Sequence, residues 1–151
     1  MWPLWIAVFG VAMVATQFAM HQSSSFEVSQ TDQTTQLALE YATAVSTYLR
    51  NNPNATSPAT AAQLNLPAWY PMSCNGQPCF DNAFAGGRAY ITPKQSVTLS
   101  IGSVQKIGDG SLIAGSFTNV STGAFQSQYG TITLPVPAGA TANLPTIVVS
   151  P

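Results

Sequence analysis

The first candidates for chemistry in this chain are its two cysteines, Cys74 and Cys79. They frame Asn75-Gly76-Gln77-Pro78, a run of residues that favours a tight turn. A pair with this spacing can form a disulfide, stay as two thiols or bind a metal. We expect a disulfide in an oxidising compartment, because the chain has no second cysteine pair for a zinc site and redox enzymes more typically carry Cys-x-x-Cys.

The other residue types that carry chemistry are sparse and scattered. His21 is the single histidine, and its position beside an apolar segment favours an interfacial residue over the base of a catalytic triad. Gly86-Gly87-Arg88 lacks the spacing of a phosphate-binding loop and is interpreted as a turn that enters a sheet. We therefore expect no enzyme, no cofactor and no metal site. The carboxylates show no recognisable pairing and are interpreted as solvated surface: Glu27, Asp32, Glu40, Asp81 and Asp109.

The segment before these residues has the character of a membrane anchor. Residues 2–20 carry no charged side chain, and as a helix they would span about 28 Å, close to the hydrocarbon core of a bilayer. Trp2 and Trp5 suit the aromatic belt at one interface. A cleaved signal peptide is the alternative, but no basic residue precedes the apolar run and Phe18-Ala19-Met20 is a poor cleavage site. We predict an uncleaved anchor over residues 1–22.

The composition of the remainder limits where it works and what it binds. Charged residues make up 6% of the chain, far below the usual quarter, and the net charge is −1. A nucleic-acid partner is not expected, because phosphate binding needs clustered Lys and Arg. The uncharged polar surface and the cysteine pair favour a domain over residues 23–151 that lies outside the cytoplasm.

The apolar periodicity predicts two helices in this domain. Residues 32–50 place apolar side chains at the spacing of one buried helical stripe, and Asn51-Asn52-Pro53 is a helix end. Ser57-Pro58 has the capping residue and the first-turn proline of a second, short helix over 57–64.

The pattern then changes to strands within residues 88–149. Alternation over 97–101, and apolar runs over 111–118, 128–134 and 146–149, predict three to five antiparallel strands. Gly108-Asp109-Gly110 is interpreted as the turn of a hairpin between the first two. Helices followed by consecutive strands predict an α+β fold with the amphipathic helix packed on a small antiparallel sheet. Trp69 and Tyr70 are candidates for a partner surface, against the alternative that they close the helix–sheet core.

This layout resembles that of type IV pilins, in which a long N-terminal helix is followed by a small sheet. The stretch LALEYATAVSTYLRNNPNATSPATAAQLNLPAWY carries the resemblance, although the chain lacks the basic leader and the Glu of pilins. It is more similar to the PilM family of inner-membrane proteins from plasmid-borne type IVb thin-pilus systems. The similarity lies in the length, in the expected uncleaved N-terminal anchor and in the stretch with Tyr, Asn and Leu66-Pro67-Ala68-Trp69.

The PilM resemblance implies a non-catalytic component of pilus assembly or of the basal body, with a part in conjugation or adhesion. The expected partners are other pilus assembly proteins, pilins and the membrane, with no small-molecule substrate. Two alternatives stay open. One is a pilin-like subunit that enters the fibre, and the other is an anchored periplasmic ligand-binding protein.

Overall fold

The structure, a computed structural model, describes residues 33–94, 97–107 and 112–151. Residues 33–51 are helical (α1), and a second helix, α2, covers Ile101–Ile107. The strands are Phe80–Ala85 (β1), Arg88–Pro93 (β2), Leu112–Asn119 (β3), Ala124–Ser127 (β4), Gly130–Thr133 (β5) and Thr146–Val149 (β6). The α+β class expected from the sequence is confirmed.

All six strands belong to one antiparallel sheet with the order β1-β2-β6-β3-β4-β5. The last strand therefore inserts between β2 and β3 and joins the β1-β2 hairpin to the β3-β4-β5 meander. Gly86 and Gly87 connect β1 to β2 with φ of 56° and 71°, the left-handed geometry that a two-residue hairpin turn requires at both positions. The predicted turn into the sheet is confirmed, although it lies inside a hairpin.

Helix α1 packs on one face of the sheet. Its buried stripe is Ala38, Tyr41, Ala42, Val45 and Leu49, as the i, i+3, i+4, i+7 pattern predicts. The ring centroids of Tyr41 and Phe80 lie 5.8 Å apart, and those of Tyr48 and Phe84 are equally close. The N-terminal half of α1 therefore lies over the start of β1, and its C-terminal half lies over the end of β1.

The opposite face of the sheet has its own apolar cluster, formed by Tyr90, Phe117, Phe125, Leu134 and Val148. The connection between β5 and β6 lies against it, and the Asn143 amide donates a hydrogen bond to the Phe117 carbonyl oxygen at 2.8 Å. Both faces of the sheet are thus partly covered, one by a helix and one by a loop.

The predicted helix over 57–64 is wrong, because the structure has only a turn over 61–65. The effective cap is Thr60, whose amide donates to Gln63 Oε1 at 2.8 Å in half of a capping box. Asn65 then takes a φ of 49°, which ends the turn. A start at Thr60 leaves too few residues before Pro67 for a stable helix.

The predicted strand over 97–101 is also wrong, and so is the hairpin built on it. Residues 97–100 have no regular secondary structure and do not join the described sheet, and Ile101–Ile107 is helical. Ser100 caps α2, since its Oγ accepts a hydrogen bond from the Ser103 amide at 3.4 Å. The alternation arises because Val97 and Leu99 both pack into the core on the α1 side. The predicted turn at 108–110 lies outside the described residues.

The strand boundaries need two further corrections. The range 88–149 omits β1, whose central buried position is the polar Asn82 and which therefore lacks a plain apolar alternation. The run over 128–134 is not one strand, because Gln128 and Tyr129 form the turn between β4 and β5. The strands predicted over 111–118 and 146–149 are confirmed as β3 and β6.

No helix within residues 33–94, 97–107 and 112–151 has the length and hydrophobicity to span a bilayer. The predicted anchor over residues 1–22, with Trp2 and Trp5 at its interface, lies outside the described residues and stays a prediction.

Candidate functional site

A groove with a cavity volume of about 840 Å³ opens at the end of the sheet where β1 begins and β2 ends. Asp81, Ala83, Tyr90 and Thr92 line its floor on the sheet face opposite α1. Residues 93, 94, 97–99, 137–141 and 144–146 also contribute to the lining. A cavity of this size falls within the range of ligand sites in proteins. Its lining includes Asp81, Tyr90, Thr92, Lys94, Phe117, Thr141 and Thr146.

Strand register places the floor residues on a common face. Asp81 pairs with Thr92, Ala83 pairs with Tyr90, and Tyr90 pairs in turn with Val148 of β6. Because directly paired residues point to the same side of a sheet, these side chains all face away from α1. The groove is therefore a product of the β1-β2-β6 pairing, which brings together residues far apart in the sequence.

The groove is electrically close to neutral. Its two charged lining residues are Asp81 and Lys94, with Nζ 3.5 Å from Oδ1. Lys94 Nζ also donates to the Pro78 carbonyl oxygen at 2.8 Å. Each charge is thus compensated, so the lining suits an uncharged occupant that binds through apolar contacts and hydrogen bonds.

Tyr90 is the unusual polar residue of the groove. Its ring packs 5.9 Å from that of Phe117, and its hydroxyl is buried without a hydrogen-bond partner among the described residues. Burial raises the pKa of Tyr90, and the positive charge of Arg88 opposes that rise. The hydroxyl therefore stays protonated at neutral pH and costs stability, because an unpaired buried polar group has lost its hydration.

Replacing Tyr90 with phenylalanine is expected to raise the unfolding free energy by about 1 kcal/mol, since the change removes only the unpaired hydroxyl. Tyr70→Phe is the matched control. It is expected to lower the unfolding free energy by about 1 kcal/mol, because the Tyr70 hydroxyl donates to the Leu37 carbonyl oxygen at 3.1 Å. Urea denaturation measures both. Destabilisation by Tyr90→Phe would show that water or a ligand pairs this hydroxyl.

Asn82 lines the groove at edge strand β1, and it was not among the residues predicted from the sequence. Its Oδ1 accepts from the Ala59 amide at 2.7 Å, and its Nδ2 donates to the Ala59 carbonyl oxygen at 2.9 Å and to Tyr41 Oη at 2.8 Å. The side chain therefore joins edge strand β1 to the 58–59 segment and to α1. The signal in the sequence is the position of Asn82 midway between Phe80 and Phe84, because residues two apart in a strand share one face. A polar side chain between two buried aromatic ones indicates a buried amide with hydrogen-bond partners.

The predicted disulfide between Cys74 and Cys79 is present, with Cα atoms 5.1 Å apart. Asn75 and Gly76 form the turn inside it, with φ of 56° and 73°. Cys74 and Gln77 exchange two backbone hydrogen bonds across that turn, of 3.1 and 3.2 Å. The residues that favoured a turn in the sequence therefore shape a minimal hairpin, and the disulfide lies directly before β1.

The double replacement Cys74→Ser and Cys79→Ser is expected to lower the unfolding free energy by about 2 kcal/mol, because the disulfide closes only a short loop. The domain should still fold, since its main core does not include this loop. Urea denaturation checks the result, and reduction of the unmodified protein with dithiothreitol should lower the midpoint to a similar extent. Complete loss of the cooperative transition would contradict this prediction.

The two residues predicted as a partner surface differ in their exposure to solvent. Trp69 is 66% exposed and remains available to a partner. Tyr70 is only 4% exposed, because its ring packs 6.2 Å from that of Tyr41 and its hydroxyl bonds to α1. The assignment of Tyr70 to a partner surface is therefore wrong. Tyr70 instead closes the helix–sheet core, which was the alternative for both residues, and Trp69 does not.

Alkaline pH is expected to destabilise the domain. Burial, above all, raises the pKa of Tyr41, Tyr70 and Tyr90 above the usual value near 10. Between that value and the raised values, the unfolded chain releases protons that the folded chain keeps, so stability falls as pH rises. The stabilisation is complete below about pH 10 and is lost above it. Urea midpoints measured from pH 8 to 11.5 should show the fall only above pH 10.

Within residues 33–94, 97–107 and 112–151, no three His, Cys, Asp or Glu side chains are grouped so that they could hold a metal ion. The groove brings together one ion pair, one protonated tyrosine, threonine hydroxyls and apolar walls. Its chemistry is therefore that of a binding site for an uncharged ligand or segment.

Comparison with known proteins assigns the family. The family model PilM matches residues 6–148, which is most of the chain. The chain belongs to the PilM family. The match runs from within the apolar N-terminal segment into β6. The resemblance seen in the sequence is confirmed. The chain has no significant match among curated proteins.

The fold of this PilM-family chain is similar to a solved structure. The crystal structure of a protein from Escherichia coli B7A named PilM superposes with a TM-score of 0.55 at 21% identity. The match covers 81% of this chain and 93% of the other. At this level of identity the similarity concerns the fold, and it extends across nearly the whole of the solved chain.

Proposed function

We propose that this PilM-family chain is a non-catalytic component of a type IV pilus assembly or basal-body apparatus, anchored in the inner membrane with its α+β domain in the periplasm. The observation that carries the proposal is the family match over residues 6–148. An apolar N-terminal segment long enough to cross a bilayer, followed by a low-charge domain with a disulfide, supports the location.

The character of the groove supports a binding role over catalysis. Asp81 and Lys94 neutralise each other at 3.5 Å, and Tyr90 keeps its proton at neutral pH. Apolar walls with satisfied charges favour contact with an uncharged segment of a protein partner. The expected partners are pilins or other pilus assembly proteins.

Gene deletion with complementation tests the role. Loss of the gene is expected to reduce the number of pili per cell in electron micrographs, and the intact gene should restore it. A tagged protein should stay in the membrane fraction after carbonate extraction, and a tag at Pro151 should be accessible only from the periplasm. Unchanged pilus number, or a protein released by carbonate, would contradict the proposal.

The architecture also favours a second candidate, a pilin-like subunit, because α1 packs along an antiparallel sheet and follows an apolar segment. Immunoblots of sheared, purified pili discriminate between the two. A fibre subunit should co-purify with pili in proportion to their length, whereas an assembly component should remain with the cell envelope.

The groove and the unpaired Tyr90 hydroxyl favour a third candidate, an anchored ligand-binding protein. A thermal-shift screen of small uncharged ligands tests it. A ligand that raises the melting temperature of the unmodified protein, with a smaller effect on Tyr90→Phe, would support it.

A further inference from the structure

Two large apolar side chains three residues apart in the sequence are exposed in the loop before the disulfide. Trp69 is 66% exposed and Met72 is 40% exposed, although the intervening Tyr70 is buried. We call Trp69 and Met72 the Trp69–Met72 patch. Tyr70 anchors the loop to the core, so the patch is held on a fixed support and does not depend on the conformation of a free loop.

The patch lies at a defined end of the domain. The Tyr70 hydroxyl bonds to the carbonyl oxygen of Leu37, and the ring centroids of Trp69 and Tyr70 are 6.2 Å apart. Leu37 belongs to the first turns of the described part of α1. The patch is therefore beside the end of the domain from which the chain continues back to the apolar residues 2–20.

The chain length keeps this end near the anchor. Residues 21–32 separate the apolar segment from the described part of α1, and fully extended they reach roughly 40 Å. A surface tethered within that distance of a bilayer meets it at a high effective concentration, so even a weak contact is occupied for much of the time.

The chemistry of the surrounding surface fits a lipid interface. From Asn51 to Phe80 the chain carries no charged side chain, so little hydration of charge is lost when the loop approaches the bilayer. Tryptophan is enriched at the headgroup level of membranes, and the flexible methionine side chain adapts to an irregular apolar environment.

We infer that the Trp69–Met72 patch rests in the headgroup region of the membrane in which residues 2–20 are anchored. The inference depends on the anchoring that forms part of the proposed function. The contact orients the domain on the bilayer, with the disulfide loop toward the lipid and the β4–β5 turn away from it. A protein partner for the patch is the competing outcome.

Tryptophan fluorescence of the full chain in vesicles tests the inference. The chain has three tryptophans, so the double variant Trp2→Phe and Trp5→Phe leaves Trp69 as the single reporter. It is reconstituted into phosphatidylcholine–phosphatidylglycerol vesicles with or without lipids brominated near the top of the acyl chain. The expected result is loss of Trp69 emission in brominated vesicles and a shift of the emission maximum to shorter wavelength.

The matched control moves the reporter to an equally exposed site. Tyr129 is 69% exposed in the β4–β5 turn. Tyr129→Trp in a chain that also carries Trp2→Phe, Trp5→Phe and Trp69→Phe should show no quenching. Equal quenching at both sites would contradict a specific orientation, and no quenching at Trp69 in a vesicle-retained chain would overturn the inference while leaving the anchor intact.

Two further outcomes separate the inference from the proposed function. Release of the chain from vesicles by carbonate would overturn both. If Trp69 is unquenched and Trp69→Ser nevertheless reduces pilus number, the patch binds a protein partner and the lipid contact is wrong. Quenching at Trp69, with pilus number unchanged on gene deletion, would support the lipid contact and contradict the pilus role.

Discussion

Replacement of Asn82 with alanine is expected to lower the unfolding free energy of this domain by about 3 kcal/mol. Asn82 is 7% exposed and makes three hydrogen bonds of 2.7 to 2.9 Å, two to the backbone of Ala59 and one to Tyr41 Oη. The alanine variant leaves the Ala59 amide and carbonyl unpaired where little water can replace the lost partner. Their desolvation cost accounts for the size of the effect.

Asn119→Ala is the matched control for this prediction. The Asn119 side chain also makes three hydrogen bonds, to the Ser121 amide, the Ser121 hydroxyl and the Thr122 amide, but all of them are exposed. Water can replace that side chain, so a loss of only about 1 kcal/mol is expected. Urea denaturation of both variants gives the comparison. Similar losses for the two asparagines would show that burial of Asn82 is not what makes it important.

Asn82→Asp tests the contribution of the Asn82 hydrogen bonds, because aspartate has nearly the same shape as asparagine. The aspartate keeps an acceptor for the Ala59 amide but has no donor for the Ala59 carbonyl oxygen, which loses its partner. The Tyr41 hydroxyl, which accepts from Asn82, can instead donate to the carboxylate. Burial disfavours the carboxylate, and we expect the variant to regain stability as pH falls and the group becomes protonated. A pH-independent loss would contradict this account.

Gly115→Ala is expected to have a comparable effect for a steric reason. Gly115 pairs with both Ser127 of β4 and Thr146 of β6 at the centre of the sheet. A Cβ atom there would fall on the Gln126 carbonyl oxygen and lie 2.7 Å from the Phe125 ring. Because a ladder backbone cannot move aside as a side chain can, we expect a loss of about 3 kcal/mol or separation of β4 from β3.

Gly102→Ala is the control for Gly115→Ala. The nearest atom to a Cβ at Gly102 is Ser100 Oγ at 3.9 Å, and the residue lies in α2, where alanine is favoured over glycine. This variant should be neutral or stabilised by up to about 1 kcal/mol. Circular dichroism with urea titration measures both, and a Gly115→Ala domain as stable as the parent would refute the steric argument.

Several elements could be predicted because local pattern and tertiary environment agree there. The stripe of α1 buries the residues that its periodicity selects, and Pro53 follows its end at residue 51. Strand β6 is apolar at three of its four positions and is buried at all four, as a central strand should be. The disulfide followed from composition and spacing, since Cys74 and Cys79 had no other partners in the chain.

Other elements were predicted wrongly because one local pattern is compatible with two structures. Alternation at Val97 and Leu99 is equally satisfied by a strand and by an irregular segment that packs both side chains into the core on the α1 side. Ser57-Pro58 and Thr60 both provide capping chemistry, and the contact of Ala59 with Asn82 keeps the chain non-helical until Thr60. In both cases a residue distant in sequence decides the outcome.

The sequence by itself determined the chain's class: a low-charge α+β domain behind an apolar segment, with one amphipathic helix, one disulfide and the resemblance to the PilM family. Those properties depend on composition, periodicity and short spacings, which are local. Only the tertiary structure decided the groove, the Asn82 contacts, the burial of Tyr70 and the exposure of Trp69. Each depends on which distant segments meet, and strand pairing such as β2 with β6 is a long-range choice that no local pattern encodes.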